Sequence, residues 1–445
     1  MAQHPDQLAH TLQTRHILMI ALGGVVGAGF FVGCSSAILK AGPIVFVSYM
    51  ICGLLIYLIN ISMRDLALKG PGKGSFMMQI RETMGPRVGF LAGWAYWLTW
   101  VIVLAAEVIA GAAMLGPLVP GLPPLAIEVF LLFLMTGVNL LSVRGYGEFE
   151  YWFSVIKLVA IAVFVLVAVW SLIKGGMGWG PAVPVHHNLF DFGGLVPKGW
   201  AAILAVIPTI LFSMTGSEIV TVAALESDDP DGNIVRITRT IAWRILGFYL
   251  TSIALILCLV PWSSLVPTKS PFLVVLNQVG VPFAEGFVWI VIFSAVLSTL
   301  NSAVYVTSRI LYELAENDDA PSFFLKVDEK KKLPKRAVMA GTIVAVGILL
   351  SDMVSRDQLF ALLLSMTGTL MLFNNLLIVL ARTQIDDGFH WGPKIACFLL
   401  ACTFGAMLWV PETRSQALFG FVAIFVISAF SWWRYRGEVV AERAD

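Results

Sequence analysis

Residues 23–31 read Gly23-Gly24-Val25-Val26-Gly27-Ala28-Gly29-Phe30-Phe31 and lie inside the first long apolar run of the chain, about 17–38. Each of the four glycines costs roughly 1 kcal/mol relative to alanine inside a helix, so the stretch is a poor continuous helix. The apolar residues around it must still be helical, because lipid offers no hydrogen-bond partner to an exposed peptide group. The stretch therefore predicts a membrane-spanning helix that is interrupted near its middle.

The composition of the whole chain agrees with a membrane location. Of 445 residues, 58% are hydrophobic and 13% are charged, and the mean hydropathy is +0.85. A soluble protein is roughly 45–50% apolar and about 25% charged, so this chain has too little charge to cover a water-facing surface. Because 29 Lys and Arg residues balance 28 Asp and Glu residues, the basic surface of a nucleic-acid-binding protein is excluded.

Twelve apolar runs are long enough, at about 20 residues each, to cross a bilayer as helices. They lie at about 17–38, 44–62, 88–115, 124–142, 153–173, 199–225, 240–261, 283–312, 337–352, 358–381, 394–410 and 416–433. With these spans, most of the 29 Lys and Arg residues fall on the side of both chain ends, and such residues are enriched in cytoplasmic loops. The chain is predicted to be an all-α, multi-pass membrane protein with both termini in the cytoplasm.

A second weak point lies five spans after the first. The residues Phe212-Ser213-Met214-Thr215-Gly216-Ser217-Glu218 are again small and polar within an apolar run. Interrupted spans in corresponding positions mark the binding site of many secondary transporters with inverted repeats. We therefore expect one membrane domain, 1–445, with repeats at 17–173 and 199–381 and two additional helices at 394–433. The alternative is that the glycines allow close helix packing.

Two such interruptions suit one kind of ligand. An opened helix exposes carbonyls where it stops and N–H groups where it resumes, so one small site can bind an ammonium and a carboxylate together. An amino acid carries both groups. The sequence contains no ATP-binding motif or metalloprotease motif, so no cofactor, metal or catalytic residue is predicted, and a membrane-embedded enzyme is only a remote alternative.

Several blocks of sequence also resemble a known family. They are Arg15-His16-Ile17, 24–33, Ala41-Gly42-Pro43, Gly74-Ser75-Phe76, 139–143, 146–152, 216–228 with Pro230, 300–303, Ser308-Arg309 and Ala320-Pro321. They are similar to the amino acid transporter branch of the amino acid–polyamine–organocation superfamily, and most of all to its GABA permeases. The resemblance implies a LeuT-like fold of twelve helices, with a 5+5 inverted repeat and broken first and sixth helices.

The same resemblance implies proton-driven uptake of GABA or a related amino acid across a bacterial inner membrane. An amino acid exchanger of the same fold is the alternative that the sequence leaves open. By position, the backbone of 26–29 would receive the substrate carboxylate, and carbonyls at Gly23 and around 212–215 would take the amino group. The expected substrate-binding residues are Gly23, Val26, Gly27, Ala28, Gly29, Glu107, Phe212, Ser213, Thr215 and Gly216.

Three of the charged residues within the spans stand out. A charge at the bilayer centre costs at least about 2.5–3.5 kcal/mol, so the presence of each needs an explanation. Lys157 either extends back to the headgroups or projects toward the first and eighth spans, near Asn301 and Ser302. Glu107 is either a structural carboxylate or a cavity group that meets the distal ammonium of the substrate. Glu218 either joins the proton path or braces the unwound segment. We predict that Lys157 and Glu218 couple transport to protons, with Asn301 and Ser302 in support.

A charged and aromatic segment precedes the fifth span. Glu148 and Glu150 alternate there with Tyr146, Phe149 and Trp152. This mixture is typical of a helix at the membrane interface, so we expect an interfacial helix on the cytoplasmic side.

Overall fold

The computed structural model describes residues 12–69, 75–174, 185–214, 216, 218–224, 226, 230–267, 269–351, 356–385, 391–409 and 411–436, which are mostly helical. The α-helices in chain order are α1 (Thr14–Val25), α2 (Cys34–Ala41), α3 (Val45–Lys69), α4 (Phe76–Met84), α5 (Pro86–Leu115), α6 (Pro124–Leu141), α7 (Val143–Lys174), α8 (Val185–Phe190), α9 (Ala202–Ala205), α10 (Ile207–Ser213), α11 (Ile219–Ala224), α12 (Pro230–Leu259), α13 (Pro271–Val279), α14 (Ala284–Glu316), α15 (Lys335–Leu350), α16 (Arg356–Thr383), α17 (Trp391–Trp409) and α18 (Pro411–Arg434). A π-helix, Gly29–Gly33, precedes α2.

The helices follow the twelve apolar runs. The first run contains α1 and α2, the sixth contains α9 to α11, and each of the other ten coincides with one helix. Within the described residues, eight stretches are long and apolar enough to cross a membrane, and one of them, Thr14–Leu68, covers the first two runs. The all-α membrane class is confirmed, and the count of twelve stays a prediction.

Both expected interruptions are present. Helix α1 ends at Val25, and the backbone of Val26 is not helical, with φ −86° and ψ 79°. Helix α10 ends at Ser213, and Gly216, with a φ of +118°, separates it from α11. Only glycine adopts this φ without strain, so the residue that made the sixth span a poor helix is also the one that turns the chain.

The two longest buried helices, α5 and α14, form the centre of the molecule. Glycines of α5 leave room for side chains of the neighbouring helices. A Cβ added at Gly93 of α5 would lie 2.6 Å from Leu314 Cδ2 of α14, and one at Gly111 would lie 2.7 Å from Leu131 Cδ1 of α6. These contacts are the close packing that small residues provide in membrane helices.

Helix α1 packs with similar closeness on α7. A Cβ added at Gly23 would lie 1.7 Å from Ser154 Oγ and 2.4 Å from Ser154 Cβ. The Ser154 hydroxyl also donates a hydrogen bond to Met19 O at 2.9 Å. At Gly23 the glycine therefore allows the backbones of α1 and α7 to approach, as the packing alternative states, and its role in substrate binding stays a prediction.

A buried ion pair ties three parts of the chain together. Arg309 of α14 donates from Nε and Nη2 to the two carboxylate oxygens of Glu226, at 2.7 and 3.2 Å, and both side chains are buried. The guanidinium lies 4.2 Å from the centre of the Tyr305 ring, which stacks on Tyr146 of α7. Because Leu12 N–H donates to Glu226 O, the segment before α1 is held at the same point.

Removing one partner of this pair leaves a buried charge without its counter-ion, so we expect Arg309→Met to destabilise the protein by about 3–5 kcal/mol. The measurement is the thermal unfolding midpoint of the detergent-solubilised protein. Arg436→Met changes an exposed arginine and serves as the control, with a much smaller shift. The double variant with Glu226→Met should recover part of the loss, and a double variant less stable than Arg309→Met would contradict the explanation.

Candidate functional site

The two interruptions lie against each other. A Cβ added at Gly216 would lie 2.4 Å from Gly24 O, and one added at Gly29 would lie 3.3 Å from Ser213 Cα. The structure thus brings together the expected residues of the first and sixth spans, which are almost 190 positions apart in the chain. Thr215 lies outside the described residues.

Carbonyls from both broken helices converge on one point. Val25 O and Ser213 O belong to the last residues of α1 and α10, where helix carbonyls have no partner within the helix. The hydroxyl of Tyr249, a buried residue of α12, lies 3.1 Å from Val25 O and donates to Ser213 O. This point therefore attracts a hydrogen-bond donor or a cation. No pattern in the sequence singled out Tyr249 from the other residues of its apolar span.

A hydrogen bond of 3.1 Å from Gly27 N–H to Val25 O bridges the first interruption. Gly27, Ala28 and Gly29 are half-buried, whereas Phe30 and Phe31 behind them are buried. Helical structure resumes at Ala28, so the first N–H groups of the new segment point back into the interruption. Phe212 is also half-buried, and its ring lies 3.5 Å from the position of a Cβ at Gly29. This side can receive a small anionic group.

Glu107 lies on α5 and is half-buried. Its Oε2 atom is buried and has no hydrogen-bond partner among the described residues. Its carboxylate interacts electrostatically with Lys157. The structure therefore places Glu107 in the same charged environment as Lys157.

Lys157 is completely buried and does not reach the protein surface. Its Nζ atom donates to Gly23 O of α1 at 2.5 Å and to Ser298 Oγ of α14 at 2.8 Å. The side chain thus projects toward the first and eighth spans, as one of the two sequence alternatives states. Its partner on α14 is Ser298, one helical turn before Asn301, and the sequence analysis missed it.

Glu150 corrects the expectation of an interfacial segment. It is completely buried, and it accepts hydrogen bonds from Ser298 Oγ at Oε1 and from Asn301 Nδ2 at Oε2, the latter at 3.4 Å. The expectation was wrong because α7 runs without interruption from Val143 to Lys174, so Glu150 lies in its third turn and faces α14. Its neighbour Glu148 points to the other side, where it pairs with Arg15 at 2.5 Å.

Asn301 and Ser302 take part in the same polar cluster. Asn301 Oδ1 accepts a hydrogen bond from Asn139 Nδ2 of α6 at 3.0 Å, and Ser302 Oγ lies 3.4 Å from the Tyr146 hydroxyl. Neither residue bonds to Lys157 directly. Glu150 and Ser298 lie between them and the lysine.

Glu218 is buried and closes the interruption of its own span. Its Oε2 atom accepts a hydrogen bond from Gly216 N–H at 3.0 Å. The hydroxyl of Tyr96 on α5 lies beside the same carboxylate. Glu218 therefore braces the unwound segment, and a role in proton movement stays a prediction.

Comparison with known proteins agrees with this architecture. The model of the family described as amino acid permease matches residues 16–410. The chain is 38% identical to the gamma-aminobutyric acid permease of Bacillus subtilis, over 86% of this chain and 81% of the relative. It is 37% identical to a probable GABA permease of Pseudomonas aeruginosa, over 92% of this chain and 89% of the relative. It is 33% identical to the aromatic amino acid transport protein AroP of Escherichia coli K12, over 86% of this chain and 83% of the relative.

Solved structures show the fold. Two mutants of the manganese transporter of Eremococcus coleocola superpose with TM-scores of 0.54 and 0.56, covering 97% of this chain and 94% of theirs at 13% identity. They share the LeuT-like architecture, so the expected fold class is confirmed. At this identity the likeness concerns the fold alone.

Because the two interruptions are in contact at Gly216, we expect transport to require glycine at this position. Alanine there would be strained at a φ of +118° and would place its Cβ 2.4 Å from Gly24 O. We expect Gly216→Ala to reduce ligand binding and transport at least tenfold, because the two interruptions must move apart. Gly247→Ala is the matched control, since no atom lies within 4 Å of a Cβ there. Equal transport by both variants, at equal amounts of folded protein, would count against this role.

Proposed function

The chain belongs to the amino acid permease family, and on that premise we propose that it is a secondary active transporter that takes up an amino acid together with a proton. GABA is the first candidate substrate, because two of the similar relatives are named GABA permeases. The similarity to an aromatic amino acid transport protein makes aromatic amino acids the next group to test.

The convergence of the two interruptions is the observation that carries the proposal. Residues 27–29 are half-buried where helical structure resumes, and the carbonyls of Val25 and Ser213 meet at the Tyr249 hydroxyl. An α-amino acid carries both the carboxylate and the ammonium that such N–H groups and carbonyls would bind. The Tyr249 hydroxyl holds the two carbonyls when no ammonium is bound, which keeps them from being orphaned in a dry interior.

The ammonium of GABA lies three carbons away from its carboxylate, so it reaches beyond the converging carbonyls. Glu107 is the acidic group proposed to meet it. The buried Oε2 atom without a hydrogen-bond partner supports this role over a purely structural one. A carboxylate that accepts from an ammonium forms a charge-assisted hydrogen bond, which is stronger than a neutral one.

Lys157 is proposed to couple transport to protons. Its ammonium donates to Gly23 O, two residues before α1 ends, so its protonation state acts directly on the interrupted helix. A neutral amine would hold this carbonyl more weakly than an ammonium does. Glu218 is the second candidate for proton coupling, since it closes the sixth-span interruption. One proton moving down about 100 mV releases roughly 2.3 kcal/mol, enough for about 50-fold accumulation of a zwitterion.

We further propose that both termini lie in the cytoplasm and that the protein resides in a bacterial inner membrane. The distribution of Lys and Arg supports the first statement, and the bacterial relatives support the second. The repeats at 17–173 and 199–381, followed by 394–433, account for the matching positions of the two interruptions. Alternating access then moves the site from one side of the membrane to the other.

Uptake in proteoliposomes tests the symport. We expect labelled GABA to accumulate when the lumen is alkaline and negative, and a protonophore to abolish the accumulation. The Lys157→Gln variant should lose most of the accumulation, because the glutamine amide does not bind or release a proton at physiological pH. Uptake that ignores both gradients and requires internal substrate would instead show an exchanger.

A binding screen tests the pocket. We expect Glu107→Gln to weaken GABA binding by about 10–100-fold, equivalent to about 1.5–3 kcal/mol for a hydrogen bond to a charged group, and to affect α-amino acids less. The measurement is a set of dissociation constants for GABA, β-alanine and the standard amino acids. Glu285→Gln, an exposed residue of α14, is the control. Unchanged affinity for every ligand would remove Glu107 from the pocket.

A further inference from the structure

Glu150 and Lys157 lie on the same face of α7. They are seven residues apart, which is two helical turns and about 10 Å along the axis. Ser298 of α14 fills the space between their side chains, since its Oγ atom accepts from Lys157 Nζ at 2.8 Å and donates to Glu150 Oε1. All three side chains are completely buried. The result is a continuous hydrogen-bonded path from an ammonium to a carboxylate.

The direction of each hydrogen bond suits proton transfer. Lys157 acts as a donor, Glu150 acts as an acceptor, and the Ser298 hydroxyl does both. A hydroxyl in this position can take a proton on one side and give up its own on the other. The second oxygen of Glu150 is held by Asn301 Nδ2, so the carboxylate is fixed in place.

The charged groups around this path set its overall charge. Lys157 interacts electrostatically with two carboxylates, Glu150 on its own helix and Glu107 on α5. Toward the start of α7 lies Tyr146, and beyond it the Arg309–Glu226 pair is already balanced. One ammonium therefore faces one completely buried carboxylate, Glu150, and one half-buried carboxylate, Glu107. With all three groups ionised the set carries one net negative charge, which one additional proton neutralises.

We propose that Glu150 accepts the proton of Lys157 through the Ser298 hydroxyl, and that it passes this proton on toward the predicted cytoplasmic side. In the transfer, the N–H bond of the ammonium breaks as its proton bonds to Ser298 Oγ, and the original Oγ–H proton bonds to Glu150 Oε1. The lysine becomes a neutral amine and the carboxylate becomes a carboxylic acid, so the total charge does not change. The inference rests on the proposed function, since a relay needs a proton-coupled cycle.

The position of Glu150 gives the relay its direction. It lies two turns closer than Lys157 to Val143, where α7 begins on the predicted cytoplasmic side. Tyr146 and Ser302 continue the polar cluster toward that end, with their oxygen atoms 3.4 Å apart. Since Gly23 O loses its charged donor when Lys157 gives up its proton, release through Glu150 would loosen the first interruption at the same moment.

The test separates proton movement from substrate movement. Purified full-length protein is placed in liposomes that contain a pH-sensitive dye, and proton entry and labelled GABA entry are recorded together. GABA counterflow, which needs no net proton transfer, is recorded in parallel. The variants are Glu150→Gln, which keeps the shape, and Ser298→Ala, which keeps both charges but removes the bridge. Glu148→Gln, the outward-facing neighbour, is the control.

For Glu150→Gln and Ser298→Ala we expect proton-driven accumulation to fall at least tenfold while counterflow falls less than threefold, and we expect Ser298→Thr to restore accumulation. Glu148→Gln should behave like the wild-type protein. If wild-type protein moves protons with GABA and both relay variants do so with the same ratio, the relay is wrong and the symport stands. If counterflow and accumulation fall together, the cluster is structural. If the wild-type protein moves no protons, both the symport and the relay are wrong.

Discussion

An interrupted helix inside a membrane leaves peptide groups that no water can reach, and the rest of this molecule is arranged around that constraint. Several backbone groups near the two interruptions have side-chain partners. The Tyr249 hydroxyl donates to Ser213 O at the end of α10 and lies 3.1 Å from Val25 O at the end of α1, and Lys157 donates to Gly23 O. Within the sixth span, Glu218 accepts from Gly216 N–H. Two neighbouring helices, α7 and α12, and the interrupted segment itself supply the side chains that hydrogen-bond to these groups.

The same arrangement explains why the interruptions can serve a ligand. A carbonyl oxygen has two lone pairs, so the Tyr249 hydroxyl can satisfy Ser213 O without saturating it. In the proposed function an arriving ammonium would gain a hydrogen bond at Ser213 O, while Val25 O stays bonded to Gly27 N–H. A side chain that hydrogen-bonds to Ser213 O in this way stabilises the folded protein and still leaves a lone pair for a ligand.

The fold was predictable because it depends on composition and on chain-local signals. Long apolar runs indicated the spans. Clustered glycines indicated the first interruption and small polar residues the second, and the structure confirms them at Val26 and Gly216. The glycines proved to have two different roles. Gly23 allows close packing on α7, whereas Gly27 and Gly29 are half-buried and less tightly packed, and only the neighbouring helix distinguishes the two situations.

The polar cluster was harder to predict because it depends on rotation about the helix axis and on partners far away in the chain. Glu148 and Glu150 look alike in sequence, yet one faces Arg15 at the surface and the other faces α14 in the interior. The spacing of seven residues between Glu150 and Lys157 was the available signal, since it places both on one face of a continuous helix. Ser298 carried no such signal, because serine is common at helix contacts in membranes.

The contact between Gly23 and Ser154 also restricts the motions open to the first span. With no room for even a methyl group there, α1 cannot slide along α7 without steric overlap, but it can tilt about that point. Thr14 lies about 14 Å away along the axis, whereas Val25 is only two residues away. A tilt would therefore swing the start of the helix through a wide arc and leave the binding carbonyl almost still. In the proposed alternating access, such a pivot would open one side of the site to the membrane surface while the carbonyl at Val25 keeps its position.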